Sequence, residues 1–244
     1  MWEWFAQYWS SVGLGGAIVL LVLALFTDVL RHETGISRWR DPVWLAWASV
    51  IAYMLHNFEE YGIDLLGRPF QFPATACETF GFPDVVSCPL VPSFFVAVNI
   101  PFVWIALVAA ALIARKVPAV GLTGAGLLLT NALSHVATLP TPMGYSPGTL
   151  TAVLLFIPLA VWVFATQFGR GKQRIPVLIV ILAASILAQL VLLLLLAGLS
   201  NDVIALSAAI VIQTVDPVLL ILLPWLAHRQ WPSRVGTFVA EGEG

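Results

Sequence analysis

Residues 176–199 read PVLIVILAASILAQLVLLLLLAGL, a run with no charged side chain and only Ser185 and Gln189 as side-chain hydrogen-bonding groups. At about 1.5 Å of rise per helical residue the run is longer than the ~30 Å hydrocarbon core of a bilayer requires. It shows no alternation of polar and apolar residues, so it does not read as a strand of an outer-membrane barrel. Residues 176–199 therefore read as a membrane-spanning helix, and the rest of the chain is measured against them.

The 244 residues are 60% hydrophobic and 10% charged, with a mean hydropathy of +0.95. That composition places the chain among integral membrane proteins. The net charge of −2 says little about partners, and the lack of a basic patch argues against nucleic acid. Apolar runs bounded by turn and charge signals predict seven spans, near residues 13–30, 42–66, 89–114, 117–139, 148–166, 176–199 and 203–226. The expected architecture is a single all-α, polytopic seven-helix domain over residues 1–234 with a flexible tail at 235–244. Because the first residues, MWEWFAQYWSS, carry no Lys or Arg, the first run reads as a retained span rather than a cleaved signal.

Only Arg68 falls on the opposite side of the predicted bundle from the other Lys and Arg residues. By the positive-inside rule the crowded face is cytoplasmic, which sets the N-terminus outside and the C-terminus inside. The expected location is a bacterial cytoplasmic membrane, with lipids as neighbours. Cys77 and Cys88, the only cysteines, then lie in an extracytoplasmic loop where a disulfide is expected. Lys116 and Lys172 both sit in cytoplasmic turns, so no buried lysine is present to hold retinal.

Ionisable groups inside a span cost about 2.5–3.5 kcal/mol each on the translocon scale, so those present call for partners. The second span ends with His56-Asn-Phe-Glu-Glu60. On a helix Glu59 lies about 60° to one side of His56 and Glu60 about 40° to the other, so all three share a face. In the fourth span Asn131 and His135 are also one turn apart. His56 and His135 lie roughly 21 and 27 Å above the inner edge by helical rise, both in the outer part of the bilayer. Tyr145-Ser-Pro-Gly148 follows on the same side and opens the fifth span. Asn99 and Gln189 lie nearer mid-membrane, as helix–helix glue or as site residues. Asp216, before Pro217 in the last span, is a supporting or proton-path candidate alongside Asn99.

His56-Asn-Phe-Glu-Glu60, Asn131-Ala-Leu-Ser-His135 and Tyr145-Ser-Pro-Gly148, in that order, resemble the HXXEE-domain family of bacterial membrane proteins, marked by HxxEE, NxxxH and YxPG motifs. The resemblance covers roughly residues 40–170. It implies that His56, Glu59, Glu60, Asn131, His135 and Tyr145 belong together without assigning them a reaction.

Several chemistries suit that set. One is a divalent metal, Zn or Fe, held by His56, His135 and one or both of Glu59 and Glu60. Asn131, Tyr145 and a glutamate would then be catalytic groups acting on a lipid-like or isoprenoid substrate. A metal-free isomerase or terpene-cyclase-like enzyme would instead use a buried glutamate as its acid. A haem with two axial histidines, a proton or ion carrier, and a purely structural polar knot are the non-enzymatic alternatives.

Overall fold

The computed structural model describes residues 1–141 and 144–233. Met143, Arg234 and the expected tail at 235–244 lie outside the described residues. The described chain is all-helical and contains no β-strand. Its helices are α1 (Trp2–Phe26), α2 (Pro42–Tyr61), α3 (Gln71–Thr79), α4 (Pro92–Ile113), α5 (Pro118–Thr138), α6 (Thr149–Gln167), α7 (Ile175–Ser200) and α8 (Leu206–Gln230). Six of them, α1 and α4 to α8, are long and apolar enough to cross a membrane.

α2 is 20 residues long but is not among the six, because its last turns carry His56, Asn57, Glu59 and Glu60. It is also the helix most enclosed by protein, buried along nearly its whole length and packed against α1, α4, α5 and α6. A helix that meets protein rather than lipid on most sides has no need of an apolar surface there. Its start is fixed by Asp41, whose Oδ1 accepts from Val43 N and Trp44 N, while Oδ2 accepts from His32 N and Glu33 N.

Small residues let α5 approach its neighbours closely. A Cβ built on Gly124 would stand 2.7 Å from Ser49 Cβ of α2, and one on Gly126 would stand 2.6 Å from Ser185 Oγ of α7. This is the packing expected of membrane helices, where backbone proximity replaces the hydrophobic drive. It fixes α5 beside α2, so that His135, farther along α5, comes level with His56.

The helix ends differ from the sequence expectation in two places. α1 starts at Trp2 rather than near Gly13, since nothing in WEWFAQYWSS interrupts a helix. α2 stops at Tyr61 rather than Leu66, because Asp64 organises a polar turn. Its Oδ1 accepts from Leu66 N and Arg68 N, and its Oδ2 pairs with the Arg68 guanidinium at 2.7 Å. Burial alone would raise the Asp64 pKa, but the Arg68 hydrogen bonds and charge outweigh it and hold the carboxyl below its usual range. The stabilisation this carries is present above the unfolded value and is lost as pH falls through the folded one.

α3 has no counterpart in the expected spans. It lies in the α2–α4 connection and is tied to the approach to α4 by the Cys77–Cys88 disulfide. Removing both thiols as Cys77→Ser/Cys88→Ser is expected to destabilise the protein by about 2–4 kcal/mol, by loosening the closed loop. Thermal unfolding in detergent under non-reducing conditions tests this; a double variant melting with the wild type would show that the bridge contributes nothing.

Candidate metal centre

Three helices deliver the site. α2 contributes His56 and Glu60, four residues apart on one face, and α5 contributes His135 near its end. All three are buried, and one ligand-type atom from each lies within 4.8 Å of the other two. Glu60 Oε1 stands 3.5 Å from His56 Nε2 and 3.3 Å from His135 Nε2. The imidazole centroids are 4.9 Å apart and nearly perpendicular. The start of α6 closes the arrangement.

The two Nδ1 atoms are already engaged. His56 Nδ1 meets Thr151 Oγ1 at 2.8 Å, and His135 Nδ1 meets Ser146 Oγ at 3.3 Å. Thr151 has one hydroxyl proton and directs it to Glu59 Oε2 at 2.6 Å, so it can only accept from His56. His56 therefore carries its proton on Nδ1, leaving the Nε2 lone pair facing Glu60. That atom is buried and has no hydrogen-bond partner. Ser146 can likewise accept from His135, its own proton then going to Thr149 Oγ1 at 3.1 Å. With both imidazole protons on Nδ1, two imidazole lone pairs and a carboxylate oxygen converge with no donor between them. Burying facing acceptors in this way is unfavourable unless a cation joins them.

Glu59 and Glu60 are adjacent in sequence yet face different partners. Glu59 does not join the cluster. Its Oε1 accepts from Tyr145 OH at 3.0 Å and Leu150 N at 3.1 Å, and its Oε2 accepts from Thr151 N at 2.8 Å as well as from Thr151 Oγ1. This is a carboxylate seated on the N-terminus of α6, where unpaired N–H groups and the helix dipole favour negative charge. Tyr145 in turn accepts from Leu65 N at 3.0 Å. Burial pushes its phenol above the ordinary range, so it stays a neutral donor. Glu59 therefore orients Thr151, which orients His56, the carboxylate-to-ligand support found around metal-binding histidines.

Gly148 closes the site from the α6 side. Its φ of +95° is left-handed, and a Cβ there would lie 2.6 Å from His56 Cε1, 2.7 Å from His135 Cε1 and 3.0 Å from Glu60 Cγ. Directly after Thr151 the helix widens into a π-helical turn over Ala152–Phe156, which lays Phe156 against His56 with centroids 4.5 Å apart. π-helical turns of this kind recur at functional sites.

On the opposite side Glu60 and His135 border a cavity of about 200 Å³ walled by α3, α4 and α7. Asn131 and Asn99 border it too, each donating to a tyrosine: Asn131 Nδ2 to Tyr53 OH at 3.1 Å and Asn99 Nδ2 to Tyr61 OH at 3.2 Å. Gln189 also reaches the cavity, whereas Asp216 does not. Asp216 is buried at the break in α8 before Pro217, with Oδ2 unpartnered. Thr151, Ser146, Tyr53 and Tyr61 escaped the sequence reading. Ser146 lies inside the YSPG motif, but no periodic or spacing signal marks the others as site residues.

Residues 47–163 match the family model described as protein of unknown function with HXXEE motif. The matched segment contains every residue of the cluster and the supporting Glu59, Tyr145, Ser146 and Thr151. No curated protein and no solved structure matches the chain.

Proposed function

Residues 47–163 being an HXXEE domain in a membrane-type helical bundle, we propose that the protein is a membrane metalloenzyme in which His56, Glu60 and His135 hold one divalent ion, Zn²⁺ or Fe²⁺. The observation that carries this reading is the convergence of three buried lone-pair atoms, the His56 proton being committed to Thr151. Ligands of a tetrahedral ion at about 2.0–2.1 Å stand roughly 3.3 Å apart, close to the 3.3 and 3.5 Å separations from Glu60 Oε1. A shared proton would draw the same atoms to about 2.7–3.2 Å. The two separations therefore fit a metal.

We place seven spans in the bilayer, with α2 as the enclosed one, the N-terminus extracytoplasmic and the C-terminus cytoplasmic in a bacterial cytoplasmic membrane. The site then lies toward the extracytoplasmic side, with the disulfide in its oxidising compartment. The substrate is lipid-like or isoprenoid. Supporting this, the cavity wall includes Phe72, Phe95 and Leu196, and also Leu193, which is half exposed on the outer face of α7.

Bound at this cluster, a divalent ion supplies Lewis acidity toward a substrate oxygen. The protein groups do the rest. Glu59 is saturated by donors and serves to hold Thr151. Among the described residues Glu60 and His135 are the carboxylate and imidazole on the cavity wall, so the substrate would meet the cluster from their side. Asn131 positions Tyr53 beside them.

Elemental analysis of detergent-purified protein tests the reading. One divalent metal per chain is expected, removable by chelator and restored on addition. Absence of stoichiometric metal after reconstitution with Zn²⁺ and with anaerobic Fe²⁺ would sink it. Thr151→Val, which frees His56 to adopt either tautomer, is expected to weaken metal affinity about 10- to 100-fold, and Thr151→Ser to restore it. Competition titration against a chelator of known affinity measures both, and equal affinities for all three proteins would remove Thr151 from the support.

A further inference from the structure

The cavity beside Glu60 carries hydrogen-bond donors that the metal reading leaves unused. Tyr61 is buried, and its hydroxyl accepts from Asn99 Nδ2 at 3.2 Å. The same Nδ2 donates to the Phe95 carbonyl at 3.0 Å, which fixes the amide orientation because a carbonyl only accepts. Tyr61 must therefore direct its own proton elsewhere, and among the described residues no acceptor takes it. Tyr53 and Asn131 share a single hydrogen bond, and in either amide orientation the pair keeps a donor unspent. Both sets face the cavity that Glu60 and His135 border.

We infer that Tyr61, with the Tyr53–Asn131 pair, forms a two-donor site for the carbonyl oxygen of a neutral, single-chain acyl lipid. Two donors suit one oxygen with two lone pairs. The donors are uncharged hydroxyl and amide groups, which suit a neutral carbonyl oxygen and leave the charge of a phosphate or a free acid without an ion partner at this position. A volume of about 200 Å³ accommodates a head group but not a lipid. The tail has a place to lie: a second cavity of about 610 Å³ between α1 and the disulfide-tied loop, with Trp2, Ala6 and Leu90 on its wall. Tyr61 and Phe95 border both cavities, so a tail reaching the second from the first would pass beside Tyr61.

This inference rests on the reading of the smaller cavity as the substrate site, but its donors are tyrosines whether or not an ion is present. The test uses the full chain in nanodiscs, methyl laurate labelled with ¹³C at its carbonyl, and infrared spectroscopy. Wild-type protein, metal-loaded or metal-free, is expected to move the carbonyl band to lower frequency than in nanodiscs alone. Tyr61→Phe, which keeps the ring, is expected to reverse part of that shift and weaken binding roughly five- to ten-fold, with metal content unchanged. Tyr53→Phe is expected to remove a further part. An unshifted band in wild-type protein, or a band identical in wild type and Tyr61→Phe, would overturn the inference. A shift that disappears on chelation would overturn it too while leaving the metal reading intact, and this arm decides the matter even if Tyr61→Phe fails to fold.

Discussion

His56→Ala and His135→Ala are each expected to abolish stoichiometric metal binding, while His32→Ala and His228→Ala leave it untouched. These four are the only histidines in the chain, so the set separates the site from adventitious binding. Each site variant removes one of three ligand atoms that converge within 4.8 Å. Losing a supporting group typically costs 10- to 100-fold in affinity, so losing a ligand should exceed roughly 100-fold. Glu60→Gln keeps an acceptor oxygen but loses the charge, and it is expected to fall between the histidine variants and Thr151→Val. Metal content after gel filtration against a chelator ranks the variants. Full occupancy in His135→Ala would move the ion away from this cluster.

Gly148→Ala is expected to damage the centre almost as severely without touching a ligand. The added methyl would sit 2.6 and 2.7 Å from the two imidazole Cε1 atoms, and neither ring can retreat without breaking its Nδ1 hydrogen bond. The backbone adds its own cost, about 1–2 kcal/mol for a non-glycine residue in a left-handed conformation. Gly144→Ala isolates that cost, since Gly144 has a φ of +62° but, among the described residues other than its chain neighbours, no atom within 4 Å of the place its methyl would take. The expected pattern is a small loss of thermal stability and retained metal in Gly144→Ala, against a larger loss of stability and of metal in Gly148→Ala. Equal behaviour of the two would mean that the close approach of Gly148 to the imidazoles has no consequence.

Much of the helical architecture is legible in the sequence, because bilayer thickness imposes a length on apolar runs. The run at 176–199 appears as α7 with its ends displaced by one residue. α2 is harder to read: it lies inside the bundle, where His56, Glu59 and Glu60 lower its hydropathy without exposing it to lipid. α3 is invisible to that ruler, since nine residues outside a span carry no length constraint.

The site divides along a similar line. Periodicity places His56, Glu59 and Glu60 on one face, but it cannot show that Glu59 meets the N-terminus of α6 while Glu60 meets His135. A difference of about 100° around the helix decides which neighbour each carboxylate finds, and only the packing of α5 and α6 against α2 supplies those neighbours. Thr151 is inconspicuous in sequence for the same reason: its importance lies in receiving the His56 proton, a contact across 95 positions of chain.

The central claim, that His56, Glu60 and His135 bind one ion through two imidazoles and a carboxylate, is tested most directly by X-ray absorption spectroscopy of the zinc-loaded full-length protein. The account predicts an N/O shell at about 2.0–2.2 Å with the multiple-scattering signature of two imidazoles, reduced to one in any metal retained by His135→Ala. A spectrum without imidazole scattering, or one unchanged in His135→Ala, would contradict it.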